Sequence, residues 1–105
     1  MLEYHLFFGR NIVGRLPLTD TEWADFAARV VTLNLPDGFT AFDAYGQWMN
    51  PATHRISAEP TKVIVVAVPD APASARAIKA IEDAYKAEFN QQSVGTTVAP
   101  VCAAF

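Results

Sequence analysis

This 105-residue chain holds only one cysteine, two histidines and eight Lys and Arg residues, and each scarcity excludes something. With Cys102 alone, no internal disulfide can form and no cysteine-rich metal site can be assembled. His5 and His54 lack helical metal-ligand spacing, so a zinc site would have to recruit carboxylates from afar, and no metal or organic cofactor is expected. The Lys and Arg residues are scattered singly in a chain of net charge -3, which leaves no basic face for phosphates and argues against nucleic acid. No apolar run approaches the roughly 18 residues that span a bilayer, so no membrane partner is expected. Phosphate-binding glycine-rich loops and a nucleophile elbow are missing too. The start, Met1-Leu2-Glu3-Tyr4-His5, has no basic region of a signal peptide, and the expected location is the cytoplasm.

What is present is apolar and ordered. Hydrophobic residues make up 51% of the chain, with seven Phe, which is incompatible with the low-hydrophobicity profile of disorder. The length suits one domain with a single core, residues 1–105. Leu2 to Gly9 reads as a strand. Thr19-Asp20-Thr21-Glu22 is a capping box in which the Thr19 hydroxyl and the Glu22 carboxylate each satisfy a free backbone N–H. Trp23, Phe26, Ala27, Val30 and Val31 follow at helical spacing until Leu35-Pro36-Asp37-Gly38 stops the helix. Phe39 to Trp48 and about Ile56 to Val68 form a hairpin across the Asn50 to Arg55 loop. Ser74 is placed to cap a second helix with Ala77, Ile78, Ile81, Tyr85 and Phe89 on one stripe. Ser93 to Phe105 is a last strand, bent or at an edge near Gly95 and Pro100.

The order strand-helix-strand-strand-helix-strand predicts an α+β, ferredoxin-like β-α-β-β-α-β sheet, antiparallel, with both helices on one face. The third strand is apolar on both sides: Ile64, Val66 and Val68 point one way and Val63, Val65 and Ala67 the other. A sheet covered on one face only should alternate apolar with polar, so the second face is expected to meet another copy and form a homodimer.

Several segments together resemble a known family. They are Leu6-Phe7-Phe8-Gly9, Glu22-Trp23-Ala24-Asp25-Phe26, Pro36-Asp37-Gly38-Phe39-Thr40, Asp43-Ala44-Tyr45-Gly46-Gln47-Trp48, Glu59-Pro60-Thr61-Lys62-Val63 and Gln92-Ser93-Val94. The chain is similar over nearly its whole length to the bacterial domain family of unknown function DUF3574, many of whose members look exported. The resemblance implies the fold and brings no catalytic residue with it. His5 and Arg10 depart from the residues commoner in the family.

Asp43, Tyr45, Gln47 and Glu59 lie in or beside apolar strands, where polar groups must be paired or line a pocket. If the first and third strands are neighbours, His5 comes near Glu59, Thr61 or Lys62, and an imidazole beside a carboxylate is a proton shuttle. The alternative is that His5 is an ordinary strand residue. Tyr45, Gln47 and Trp48 are candidate substrate contacts, or else close the core by the hairpin. Tyr85 belongs to the buried stripe, with a hydroxyl that can reach a cavity, and Arg10 and Arg55 are candidate carboxylate clamps or plain surface groups. Two functions fit: a small cofactor-independent isomerase, cyclase or lyase using His5 and Glu59 on a small organic substrate, or a non-catalytic small-molecule-binding or assembly domain.

Overall fold

The structure is a computed structural model that describes residues 1–105. Strand β1 (Leu2–Gly9) leads to helix α1 (Asp20–Phe26), which runs on through a π-helical stretch (Ala27–Val31) into a last turn, α2 (Thr32–Asn34). The hairpin strands β2 (Thr40–Met49) and β3 (Ile56–Val68) follow, then helix α3 (Pro72–Glu88) and strand β4 (Gly95–Pro100). The sheet order is β2-β3-β1-β4, antiparallel at every pairing. That is the α+β arrangement expected from the sequence.

Register explains which side chains meet. His5 faces Val65, Phe7 faces Val63 and Gly9 faces Thr61, while Phe42 and Val63 pair on the other side of β3. Because directly paired residues share a face, Leu6, Phe8, Ile64, Val66 and Val68 point to the helices. They pack with Trp23, Phe26, Ile78, Ile81, Tyr85 and Phe89 in one core. Its centre is aromatic: the Phe8 and Tyr85 rings are 4.9 Å apart and the Phe26 and Tyr85 rings 5.3 Å, both edge to face. The opposite face carries His5, Phe7, Phe42, Trp48, Val63 and Val65 and has no helix over it.

The helices start and stop for local reasons. Thr19 caps α1 as expected: its hydroxyl accepts from the Glu22 N–H, and the Glu22 carboxylate accepts from the Thr19 N–H. The buried residues of this helical run are Trp23, Phe26, Val31 and Leu35. The five-residue step from Phe26 to Val31 matches the π turn, which returns Val31 to the core face where α-helical continuation would rotate it away. Gly38 leaves the helix with φ +117°, a conformation other residues rarely adopt. At α3 the structure corrects the sequence reading: the helix begins with Pro72, and Ser74 is a buried residue of the first turn, not the cap. The far end of α3 closes with Asn90 at φ 52° and a Gln91 N–H to Lys86 carbonyl bond of 3.0 Å, a Schellman arrangement. No helix is long and apolar enough to cross a membrane.

Candidate functional site

Two residues that follow β1 and four that follow α3 are drawn together at one end of the sheet. The α3 cap turns Gln91 back so that its side-chain amide donates to the Asn11 carbonyl at 2.8 Å. Between these loops and the uncovered face of the sheet lies an open cleft of about 720 Å³. Glu59 and Thr61 of β3, Trp48 of β2, Phe7 and Gly9 of β1 and Gln92-Ser93 of the α3–β4 loop are among its lining residues.

Glu59 is the one ionisable side chain in that lining. Its Oε2 accepts the Asn11 backbone N–H at 2.9 Å, and no Lys, Arg or His pairs with it. The carboxylate rests against the backbone of Gly9, so close that a Cβ there would lie 2.6 Å from Oε1. Beneath, the Gly9 carbonyl accepts the Tyr85 hydroxyl at 2.7 Å. Burial, and next the Glu59 charge, push that phenol well above its ordinary range, with Arg10 opposing. The hydroxyl therefore stays protonated and serves as a donor from the core. Trp48 stands diagonal to Glu59 across the β2–β3 pair, since Trp48 faces Ser57 and Gly46 faces Glu59.

The pairing of His5 with Glu59 is corrected by the register. His5 faces Val65, six residues from Glu59 along β3, which is roughly 20 Å at strand spacing. His5 instead stacks near Phe7, ring centroids 6.5 Å apart, in the middle of the uncovered face. The proposed substrate contacts are divided as well. Trp48 lines the Glu59 cleft, but Tyr45 and Gln47 point to the other side of the hairpin, where Tyr45 is 70% exposed. Tyr45 and Gln47 stand on a part of the hairpin that no helix covers, so neither needs a buried partner. Tyr85 belongs to the core and reaches the site only through Gly9.

Arg10 has a structural assignment. Its Nε and Nη2 donate to the Leu18 carbonyl at 2.9 and 2.6 Å, and it joins Lys62 in holding Asp20 and Asp43. Lys62 Nζ is 3.0 Å from Asp20 and 2.7 Å from Asp43. Burial alone would lower the Lys62 ammonium's pKa, but hydrogen bonds to Asp43 and Asp20 outweigh it and the net shift is upward. Two cations facing two carboxylates form a closed ring that ties the segment just after β1 to α1, β2 and β3. Asp43, an unexplained polar strand residue in the sequence, is accounted for by this ring. Arg55 is exposed by the hairpin loop.

Sequence reasoning missed Gly9, Asn11 and the Asn90 to Ser93 loop as parts of the site. From the segments that carry the family resemblance, Gly9, Trp48, Glu59 and Gln92-Ser93 do line the cleft, and that was the available signal. Residues 3–105 match the model of the family described as "Protein of unknown function (DUF3574)". No curated protein matches the chain. Among solved structures it is similar to a phage SAM lyase in complex with S-methyl-5'-thioadenosine, with TM-score 0.68 and 13% identity over 93% of this chain and 79% of that one. A phage SAM lyase in its apo state gives TM-score 0.66 at 13% identity, over 93% and 78% of the two chains. At that identity the likeness concerns the fold.

Proposed function

This chain belongs to the DUF3574 family, and we propose that it is a small-molecule enzyme of lyase type whose reacting group is the Glu59 carboxylate. The observation that carries the reading is Glu59 itself: a carboxylate without a cationic partner, fixed by the Asn11 N–H and the bare backbone of Gly9, and open to a cleft. A carboxylate so held has its Oε1 free to accept a proton from a bound substrate as a leaving group departs. Trp48 and Phe7 supply aromatic surface, while Ser93, Gln92 and Thr61 supply neutral polar groups for orientation. With His5 far from Glu59, the acid–base work rests on the carboxylate alone. The similarity in fold to a SAM lyase supports this choice among the isomerase, cyclase and lyase classes.

The test is turnover. SAM is incubated with the protein and release of S-methyl-5'-thioadenosine is followed by chromatography, with Glu59→Gln beside the wild type. Loss of a proton-transfer group is expected to lower the rate by about a hundredfold or more. Equal rates in the two proteins remove Glu59 from the chemistry. Binding of S-methyl-5'-thioadenosine without turnover favours the second reading, a non-catalytic small-molecule-binding domain.

We also propose that the chain is a homodimer through the uncovered face of the sheet. Phe42 is about half exposed there, beside Val65 and over a Val63 that is only 3% exposed, and none of the three lines the Glu59 cleft. Apolar surface of this kind, shared by two paired strands, is rarely left to water.

A further inference from the structure

We infer that the Glu59 cleft takes the positively charged, carbon-bearing end of its ligand, an ammonium or sulfonium type of group, held by the carboxylate and the Trp48 ring. The inference deepens the small-molecule reading of this site and rests on it, but it is argued from the charge and surface of the cleft alone.

Charge selects the sign. Of the twelve lining residues only Glu59 is ionisable, so nothing there neutralises an anionic ligand. The adjacent cation in sequence, Arg10, is committed elsewhere, to the Leu18 carbonyl and the two aspartates of the ring. One hydrogen bond from Asn11 leaves Glu59 Oε1 without a donor. A bound cation would supply the partner that the fold withholds.

Surface selects the kind of cation. A bare metal ion takes several oxygen or nitrogen ligands, and no group of three or more His, Cys, Asp and Glu is gathered here or elsewhere. The cleft offers one carboxylate and aromatic walls instead. Trp48, 50% exposed, and Phe7, 40% exposed, present ring surface to the same space. Aromatic faces attract weakly hydrated organic cations, and Trp is the strongest of them.

The probe is choline, compared with its neutral carbon isostere, in which a tert-butyl group replaces trimethylammonium. Both are titrated into the wild-type protein and followed by NMR at the Trp48 indole N–H and the Asn11 backbone amide. Choline is expected to shift these signals and to bind about tenfold or more tightly than the isostere. Glu59→Gln retains an acceptor for the Asn11 N–H and therefore the fold, and should abolish the preference. Trp48→Leu should weaken choline more than the isostere. Equal binding of the two probes, no shift with choline at millimolar levels (the range of simple one-group ligands), or an unchanged preference in Glu59→Gln each overturns the proposal. Choline selectivity without SAM turnover would sink the lyase reading and leave this one standing. Turnover with no choline selectivity would do the reverse.

Discussion

The Glu59 carboxylate occupies the place where a side chain of Gly9 would be. A Cβ at position 9 would meet Oε1, Cδ and Oε2 of Glu59 at 2.6 to 2.7 Å. Gly9 is thus the seat of the one charged group in the cleft, and its own carbonyl is fixed from the core side by Tyr85. One residue joins the hydrophobic core to the candidate chemistry.

Gly9→Ala should separate function from stability. The atoms it displaces are the end of a flexible side chain, and Ala in a strand gains up to about 1 kcal/mol over Gly in backbone entropy. The melting temperature should therefore change little. Turnover, or ligand affinity, should fall by about tenfold to a hundredfold because the carboxylate is moved. Unaltered kinetics would mean that the seat of Glu59 is immaterial.

Tyr85→Phe removes the hydroxyl that donates to the Gly9 carbonyl at 2.7 Å and leaves the ring packing in place. An orphaned, partly buried acceptor costs about 1–3 kcal/mol, and urea unfolding should show a lower midpoint at constant slope. A midpoint equal to the wild type would show that water replaces the hydroxyl without loss.

The Glu22 carboxylate, held by Arg15 and by the capping box, should give the protein a measurable acid sensitivity. A hydrogen bond from the Arg15 guanidinium, and next the Thr19 backbone N–H, lower the Glu22 carboxyl from 4.5 to about 2. A carboxyl depressed in the folded state stabilises it above the unfolded value near 4.5, and this contribution disappears as pH falls through about 2. Urea midpoints measured across that window should fall less steeply in Glu22→Gln than in the wild type. At neutral pH, Thr19→Ala should cost on the order of 1 kcal/mol through loss of the cap. Parallel pH profiles for Glu22→Gln and wild type would refute the assignment.

Val65 lies on the uncovered face, opposite His5 and Thr40, whereas Val66 faces the core. Val65→Asp should convert the proposed dimer into a folded monomer, because an unpaired charge is not tolerated in an apolar interface. Val66→Asp should unfold the chain. Light scattering that gives a monomeric wild type at tens of micromolar, the range of ordinary specific interfaces, would remove the dimer.

Much of the fold was legible in the sequence because it is written in local patterns. The Thr19 to Glu22 cap, the stop at Gly38 and the stripe from Ile78 to Phe89 depend on residues within a few positions of one another. The two-sided apolar strand from Val63 to Val68 follows from period two alone. The Ser74 cap failed because Pro72 begins the helix two residues earlier with its fixed φ. The π turn was likewise hidden, since a single five-residue step hardly disturbs a short helical pattern.

The site was decided by tertiary structure. Alternation along a strand tells which residues share a face, but the offset between strands is set by packing and turns, and six residues of offset part His5 from Glu59. The same uncertainty hid the partners of Asp43, which are Arg10 just after β1 and Lys62 of β3. Gly9 carries no chemistry of its own, and its importance comes from what the fold lays upon it. Asn11 and Gln91 are 80 residues apart and meet only because the α3 cap turns the chain toward the end of β1. The sequence by itself determined which elements form and which faces are apolar, because those follow from neighbours in the chain. Only the assembled sheet decided which carboxylate stands alone in a cleft, because that depends on register and on contacts between distant segments.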